Sequence, residues 1–244
     1  MRQTRIFIDS TLTAGQTLPL PAEAANHVQR VLRLRAGASL LLFNGRGGEY
    51  SATLLRADRD ATIAQVDTHH AGDRESPLRL TLLQGVSRGE RMDTIVQKAT
   101  ELGVTRILPV LTEFSVVKLD ADAAAKRRAH WRAIAIGACE QSGRNRLPEL
   151  AEVSDYAPAL AAAAAGPGMR VLLAPDAPQS LATAAHGGDI TLLVGPEGGL
   201  SERERLLAER AGFVSCRMGP RVLRTETAPL AALALLQGLL GDLR

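Results

Sequence analysis

Cysteine is scarce in this chain. Only Cys139 and Cys216 occur, far apart and with no metal-ligating partners beside them. That excludes a disulfide scaffold and a zinc ribbon, and it predicts two reduced residues in a cytosolic protein. Lysine is almost as rare: Lys98, Lys118 and Lys126 are the only three among 29 basic residues. No long apolar run occurs either. PLAALALLQGLLGDL is broken by Gln237 and is too short to span a bilayer comfortably. The opening RQTRIFID is too polar for a secretory signal. The expectation is a soluble, cytoplasmic protein. Neither GxGxxG nor GxxxxGK[ST] occurs, which excludes the usual dinucleotide and triphosphate loops. His69 and His70 stand together without nearby ligands, so no metal is expected.

What is present is ordinary globular material. The 244 residues are 45% hydrophobic and 23% charged, enough for one large domain or a small one plus a medium one. The net charge of +3 is compatible with a nucleic-acid partner. The better electrostatic clue is local. Lys118, Lys126, Arg127, Arg128, Arg132, Arg144 and Arg146 face only Asp120, Asp122 and Glu140 over residues 118–146.

Two rhythms divide the chain. Strand character marks residues 4–9, 39–43, 49–57 and 61–69, with a turn signal at NGRGG, residues 44–48. One helix interrupts them, opening at Pro21 with Ala24, Val28, Val31 and Leu32 at helical spacing. This half predicts a small β-barrel or curled sheet over residues 1–72. HAGDRESP, residues 70–77, reads as a linker. Strand and helix alternate over residues 77–244, which predicts an α/β domain with a mainly parallel sheet.

In such sheets ligands lie outside the carboxyl ends of the strands. Three loops occupy that place: APDAP at 174–178, GPEGG at 195–199 and MGPRVLRTETAP at 218–229. They carry no lysine to grip phosphates. A ligand held by backbone groups, with a flat apolar part, fits them better than a triphosphate. Arg221 and Arg224 precede Thr225, Glu226 and Thr227 at the start of the last helix. Either threonine can serve as N-cap, and solvated arginines with simple capping account for this pattern as well as a functional role does. Glu197 likewise reads equally as a turn carboxylate that satisfies backbone N–H groups.

ERMDTIVQKATELGV, ACEQSGR, GPEGGLSERE and MGPRVLRTETA occur in this order, preceded by HVQRVLRLRAG and FNGRGGEYSATL. Together they resemble the bacterial 16S ribosomal RNA uracil-N3 methyltransferases of RsmE type, in the SPOUT class. The resemblance covers nearly the whole chain. It implies a PUA-like RNA-binding β-barrel before a SPOUT-type parallel sheet with a C-terminal deep trefoil knot, a homodimer, and S-adenosylmethionine as cofactor. It implies 16S rRNA in the small ribosomal subunit as partner. Leu172, Leu173, Leu193, Met218 and Leu223 would line or support the adenine slot. Gly195, Pro196, Gly198, Gly199 and Gly219 would bring backbone close to the nucleoside, with Thr225, Thr227 and Ala228 beside it. Glu197 would face the sulfonium. Methylation at N3 requires loss of the N3 proton, so Arg224 and then Arg221 are candidates to stabilise the anion, and Glu226 is the candidate base. Arg2, Arg5, His27, Arg30, Arg33, Arg35, Arg127, Arg128, Arg132 and Arg144 are candidate RNA contacts; taken singly, each reads more readily as a solvated surface residue, and it is as a set that they point to phosphate. The chain departs from the family at Phe114, where Glu-Arg-Ser is common and Glu113-Phe114-Ser115 stands, and at Asn26, where a second histidine beside His27 is common. Alternatives are a SPOUT enzyme acting on another RNA and a non-catalytic assembly factor.

Overall fold

The computed structural model describes residues 3–117 and 119–243, so Arg2 and Lys118 lie outside the described residues. The chain divides into two units. One comprises the residues up to Glu75 together with Cys139–Leu147, and the other comprises Ser76–Ala138 and Pro148 onward.

The first unit is built on β1 (Thr4–Phe7), β2 (Thr17–Pro19), α1 (Ala22–Asn26), β3 (Ser39–Phe43), β4 (Glu49–Ala57) and β5 (Thr62–His70). Its sheet has the order β1-β3-β4-β5-β2, with β1 parallel to β3 and the other pairs antiparallel. Alternation places Leu40 and Leu42 of β3, Ala52 and Leu54 of β4, and Ala64 and Val66 of β5 in one core. The expected helix is short. After α1 the residues His27–Val31 widen into a π turn, with Leu32 N–H donating to the His27 carbonyl at 3.0 Å. This widening turns Val31 outward, 66% exposed, while Ala24 and Val28 stay buried. Arg33 then holds a left-handed φ of 52°, the one positive φ at a non-glycine residue among those described.

The polar stretch expected as a linker holds the division between the units, at Glu75 and Ser76, and its residues up to Glu75 are pinned to the first unit. Asp73 accepts from the Gly48 N–H at 3.1 Å and from Arg146 Nε at 2.9 Å. Glu75 accepts from Arg144 Nη2 at 2.6 Å. Arg144 and Arg5 are both buried, and Arg5 Nη2 donates to the Arg144 carbonyl at 3.0 Å and to Asn145 Oδ1 at 2.6 Å. Arg5 also pairs with Glu49. Residues 139–147 thus complete the polar interior of this unit.

The second unit contains β6 (Arg79–Gly85), α2 (Glu90–Glu101), β7 (Val104–Leu111), α3 (Ala121–Ser142, whose last turn belongs to the first unit), β8 (Glu149–Leu150), β9 (Ser154–Asp155), α4 (Tyr156–Ala164), β10 (Met169–Leu173), β11 (Gln179–Ser180), α5 (Leu181–Ala184), β12 (Asp189–Val194), α6 (Glu202–Arg210), β13 (Val214–Arg217) and α7 (Thr227–Leu240). The sheet order is β11-β13-β10-β12-β6-β7-β8, with β9 also on β7, and every pair is parallel. Its central strands are mostly apolar, as a sheet covered on both faces requires: Leu80, Leu82, Leu83, Leu192 and Leu193 are fully buried. Among the described residues no helix is long and apolar enough to cross a membrane.

Local sequence explains the helix ends. Ser201 caps α6 in a capping box, accepting from Glu204 N–H at 3.3 Å while Glu204 Oε2 accepts from Ser201 N–H at 2.9 Å. Helix α7 buries Pro229, Ala232, Leu233, Leu236 and Gln237, one stripe at helical spacing. Gln237, the break in the apolar run, is satisfied inside: it donates to the Leu102 carbonyl at 2.9 Å and accepts from Ser76 Oγ at 2.7 Å.

Candidate functional site

Strands β13, β10 and β12 lie side by side, so the loops that follow them open at the same sheet edge. Between these loops is a cavity of about 570 Å³. Leu172, Leu173, Ala174 and Pro175 come from the end of β10. Val194, Gly195, Pro196, Glu197, Gly199 and Leu200 follow β12. Cys216 belongs to β13, and Met218 and the run from Arg221 to Glu226, with Ala228, follow it; Arg91 of α2 and Arg205 of α6 complete the lining.

The last loop is tied to the middle one. Thr225 Oγ1 donates to the Gly195 carbonyl at 3.0 Å and lies 3.1 Å from Ser87 Oγ. Thr225 is buried for this purpose. The expectation that Thr225 or Thr227 caps α7 is therefore corrected. Glu226 occupies the N-cap position with helical φ and ψ, and no side chain caps the helix. The hydroxyl of Thr225 is committed to the loop junction instead. The middle loop needs glycine below it as well: a Cβ on Gly85, at the end of β6, would stand 2.5 Å from both N and Cδ of Pro196.

Glu197 Oε1 accepts from the Arg88 N–H at 3.0 Å and from Arg91 Nη1 at 2.7 Å. Burial alone raises its pKa, but these two hydrogen bonds, together with its own backbone N–H and the charge of Arg91, outweigh burial and hold the carboxyl below the ordinary range. Arg91 Nε also lies 3.7 Å from Glu226 Oε2, a buried oxygen with no hydrogen-bond partner among the described residues. One guanidinium thus stands between two carboxylates at the cavity. Arg221 and Arg224 are exposed at the lining, and neither guanidinium has an ion pair or side-chain hydrogen bond among the described residues. At the rim, Arg205 grips Asp176 through two hydrogen bonds, at 3.0 and 2.5 Å.

The cavity therefore gathers most of the residues singled out from sequence. Leu172, Leu173, Gly195, Pro196, Glu197, Gly199, Met218, Leu223, Thr225 and Ala228 line it, as do Arg221, Arg224 and Glu226. Leu193 is buried in the core behind it, packed with Leu83 and Leu172. Gly198, Gly219 and Thr227 are outside the lining. Sequence reasoning missed Arg91, Arg205 and Ser87. The tightest of their contacts join residues 29 to 138 positions apart and leave no local pattern.

The candidate RNA contacts separate by exposure. Arg30, Arg33 and Arg35 are exposed and His27 is half-buried. Arg128 is exposed but donates to the Leu150 carbonyl at 3.0 Å, and Arg127 and Arg132 are half-buried. Arg5 and Arg144 are corrected: both are buried in ion pairs, so their charge stabilises the first unit and is not presented to a phosphate. His69 stacks on Tyr50, with ring centroids 4.6 Å apart.

Comparison with known proteins agrees with this architecture. An RNA methyltransferase domain matches residues 74–237, and an RNA methyltransferase PUA domain matches residues 20–67. The ribosomal RNA small subunit methyltransferase E of Bacillus subtilis is 32% identical over 242 residues, covering 94% of each chain. A methyltransferase of Legionella pneumophila, solved with bound SAM, superimposes with a TM-score of 0.95 at 39% identity, covering 99% of this chain and 100% of that one. The small subunit methyltransferase E of Neisseria gonorrhoeae, solved bound to S-adenosyl methionine, gives a TM-score of 0.91 at 40% identity over the whole of both chains. Fold and cavity thus define an RNA methyltransferase with a PUA-like N-terminal unit. Within that class, the chain belongs to the ribosomal RNA small subunit methyltransferase E family.

Proposed function

We propose that the protein methylates N3 of a uridine in 16S ribosomal RNA of the small subunit, with S-adenosylmethionine as methyl donor. The observation that carries the reading is the cavity itself. Its walls are apolar at Leu172, Leu173, Met218 and Leu223, its middle loop offers backbone groups from Gly195 to Gly199, and its carboxylate Glu197 is held ionised. Those are the groups a cationic nucleoside with a flat base needs, and the lack of lysine disfavours a polyphosphate. When bound, the donor supplies an electrophilic methyl group.

The protein's own part is to hold the uracil and manage its proton. The neutral imide nitrogen has no useful lone pair, so the N3 proton must leave and negative charge must spread to O2 and O4. Arg224 and Arg221, unpaired at the lining, are placed to donate to those oxygens or to an adjoining phosphate. Glu226, which lines the cavity, is the acceptor for the N3 proton in this reading. Arg91, near that carboxylate and bonded to Glu197, orients both carboxylates.

The N-terminal residues 1–72 form the RNA-binding domain in this reading and residues 77–244 the methyltransferase domain. Arg30, Arg33 and Arg35 bind phosphates, supported by Arg127, Arg128 and Arg132. The return of the chain from β13 to the Thr225–Gly195 junction supports a C-terminal deep trefoil knot. In this reading the protein acts as a homodimer in the cytoplasm, where its ribosomal substrate is. The test is incubation with labelled S-adenosylmethionine and undermodified small subunits, followed by nucleoside analysis. Label in N3-methyluridine is expected. Label in a ribose 2′-oxygen, or none, contradicts the reading.

A further inference from the structure

The turn after β7 is rigid. Glu113 N–H donates at 2.8 Å to Oε1 of Glu204, the buried capping-box residue of α6. Thr112 N–H donates to Ser115 Oγ at 2.9 Å, and Ser115 N–H returns to the Thr112 carbonyl at 3.0 Å. Phe114, at the crest of this turn, is 46% exposed. Every other aromatic residue of the chain (three phenylalanines, two tyrosines and the tryptophan) is buried or half-buried. The ring thus remains open to water on a backbone that cannot readily fold it away.

Its position is specific. A Cβ on Gly198 would come within 2.7 Å of Phe114 Cβ and 3.3 Å of the Phe114 carbonyl oxygen, so Gly198 is what lets the two loops touch. Gly198 stands between Glu197 and Gly199, which both line the cavity. Glu113, next in the chain, is acidic and exposed, which disfavours a phosphate and favours a flat neutral partner; the charge of Glu197 on the neighbouring loop is paired with Arg91.

We propose that Phe114 is a stacking platform for an unpaired base of the RNA substrate, beside the loop that holds the methyl donor. The proposal rests on the RNA-methylation reading above. Aromatic side chains recognise splayed-out bases through the π-face that every base presents, and such a platform needs rigidity and exposure together. The ring acts on substrate binding, and no proton transfer is assigned to it.

The test is steady-state methylation of undermodified small subunits at saturating S-adenosylmethionine by the parent, Phe114→Ala, Phe114→Leu and Phe114→Trp, with donor affinity by calorimetry and assembly state by sedimentation. Alanine and leucine should each raise the KM for the subunit about tenfold, the effect of removing one base–aromatic stack. Tryptophan should stay within about twofold of the parent, and donor affinity and sedimentation should not change. An unchanged KM for Phe114→Ala overturns the platform, as does full activity of Phe114→Leu, which would make the ring a plain apolar contact. A changed sedimentation in Phe114→Ala also overturns it, by assigning the ring to contact with a second copy. If the parent transfers no methyl group to RNA, the methylation reading falls and takes the platform with it; if the parent is active and Phe114→Ala matches it, the platform alone falls.

Discussion

Thr225 Oγ1 donates to the carbonyl of Gly195 at 3.0 Å, joining loops that are 30 positions apart in the chain. Gln84 Nε2 also reaches that carbonyl, but only at 3.5 Å. Thr225→Val keeps the shape and removes the donor. It should cost about 1–2 kcal/mol of stability and weaken binding of S-adenosylmethionine, while Thr225→Ser retains both. Denaturant unfolding and calorimetry read the two effects.

Gly85 is a test that touches no charge. Gly85→Ala drives a methyl group into the backbone of Pro196 and should destabilise the protein by about 1–3 kcal/mol. Because the strain enters the middle loop, donor affinity should fall with stability. A variant as stable as the parent, with unchanged affinity, would show that the loop can move aside freely.

Glu197 carries a pH signature. Its folded-state pKa is depressed, so the stabilisation it contributes is complete above its ordinary value of about 4.5 and is lost as pH falls through the lower folded value. Donor affinity should therefore stay flat from pH 8 to about pH 5. Arg91→Leu removes both a hydrogen bond and a positive charge that depress it, so the acid limb should move to higher pH. Calorimetric titration across pH checks the shift.

Stability at alkaline pH depends on Cys139 and Tyr156. Burial pushes the Cys139 thiol up to about 12 from an ordinary 9.0, and burial also raises the Tyr156 phenol, which donates to the Glu204 carbonyl at 2.8 Å. Raised groups stabilise fully below their unfolded values and lose that contribution as pH climbs towards the folded ones. The thermal midpoint should be level up to about pH 9 and then decline, less steeply at first in Cys139→Ala.

The two classes of arginine should separate in experiment. Arg144→Ala leaves the half-buried Glu75 carboxylate without its guanidinium, though still accepting from the Arg146 N–H at 3.3 Å, and should cost about 1–3 kcal/mol. Arg30→Ala, Arg33→Ala and Arg35→Ala should leave thermal stability nearly unchanged. They should weaken RNA binding and flatten its salt dependence, by about one unit of slope for each phosphate no longer neutralised.

The alternation of strand and helix after residue 77 and the three loops at the sheet edge were legible because they are local: periodicity, and glycine and proline next to apolar runs. What the residues could not reveal depends on pairing across the chain. Arg5 and Arg144 look like surface charges until Glu49 and Glu75 are brought against them. Thr225 looks like a helix cap until Gly195 arrives beneath it. Val31 fits the helical stripe, and the π turn at His27–Val31 rotates it into solvent. Arg91 sits in an ordinary amphipathic helix, and only the fold sets it between Glu197 and Glu226.

The most direct measurement is calorimetric titration with S-adenosylmethionine, followed by a co-crystal structure. Saturable binding of one donor per chain, with its sulfonium beside Glu197 and its base against Leu172 and Leu223, is the predicted result. A donor lodged elsewhere, or no heat of binding at all, would contradict it.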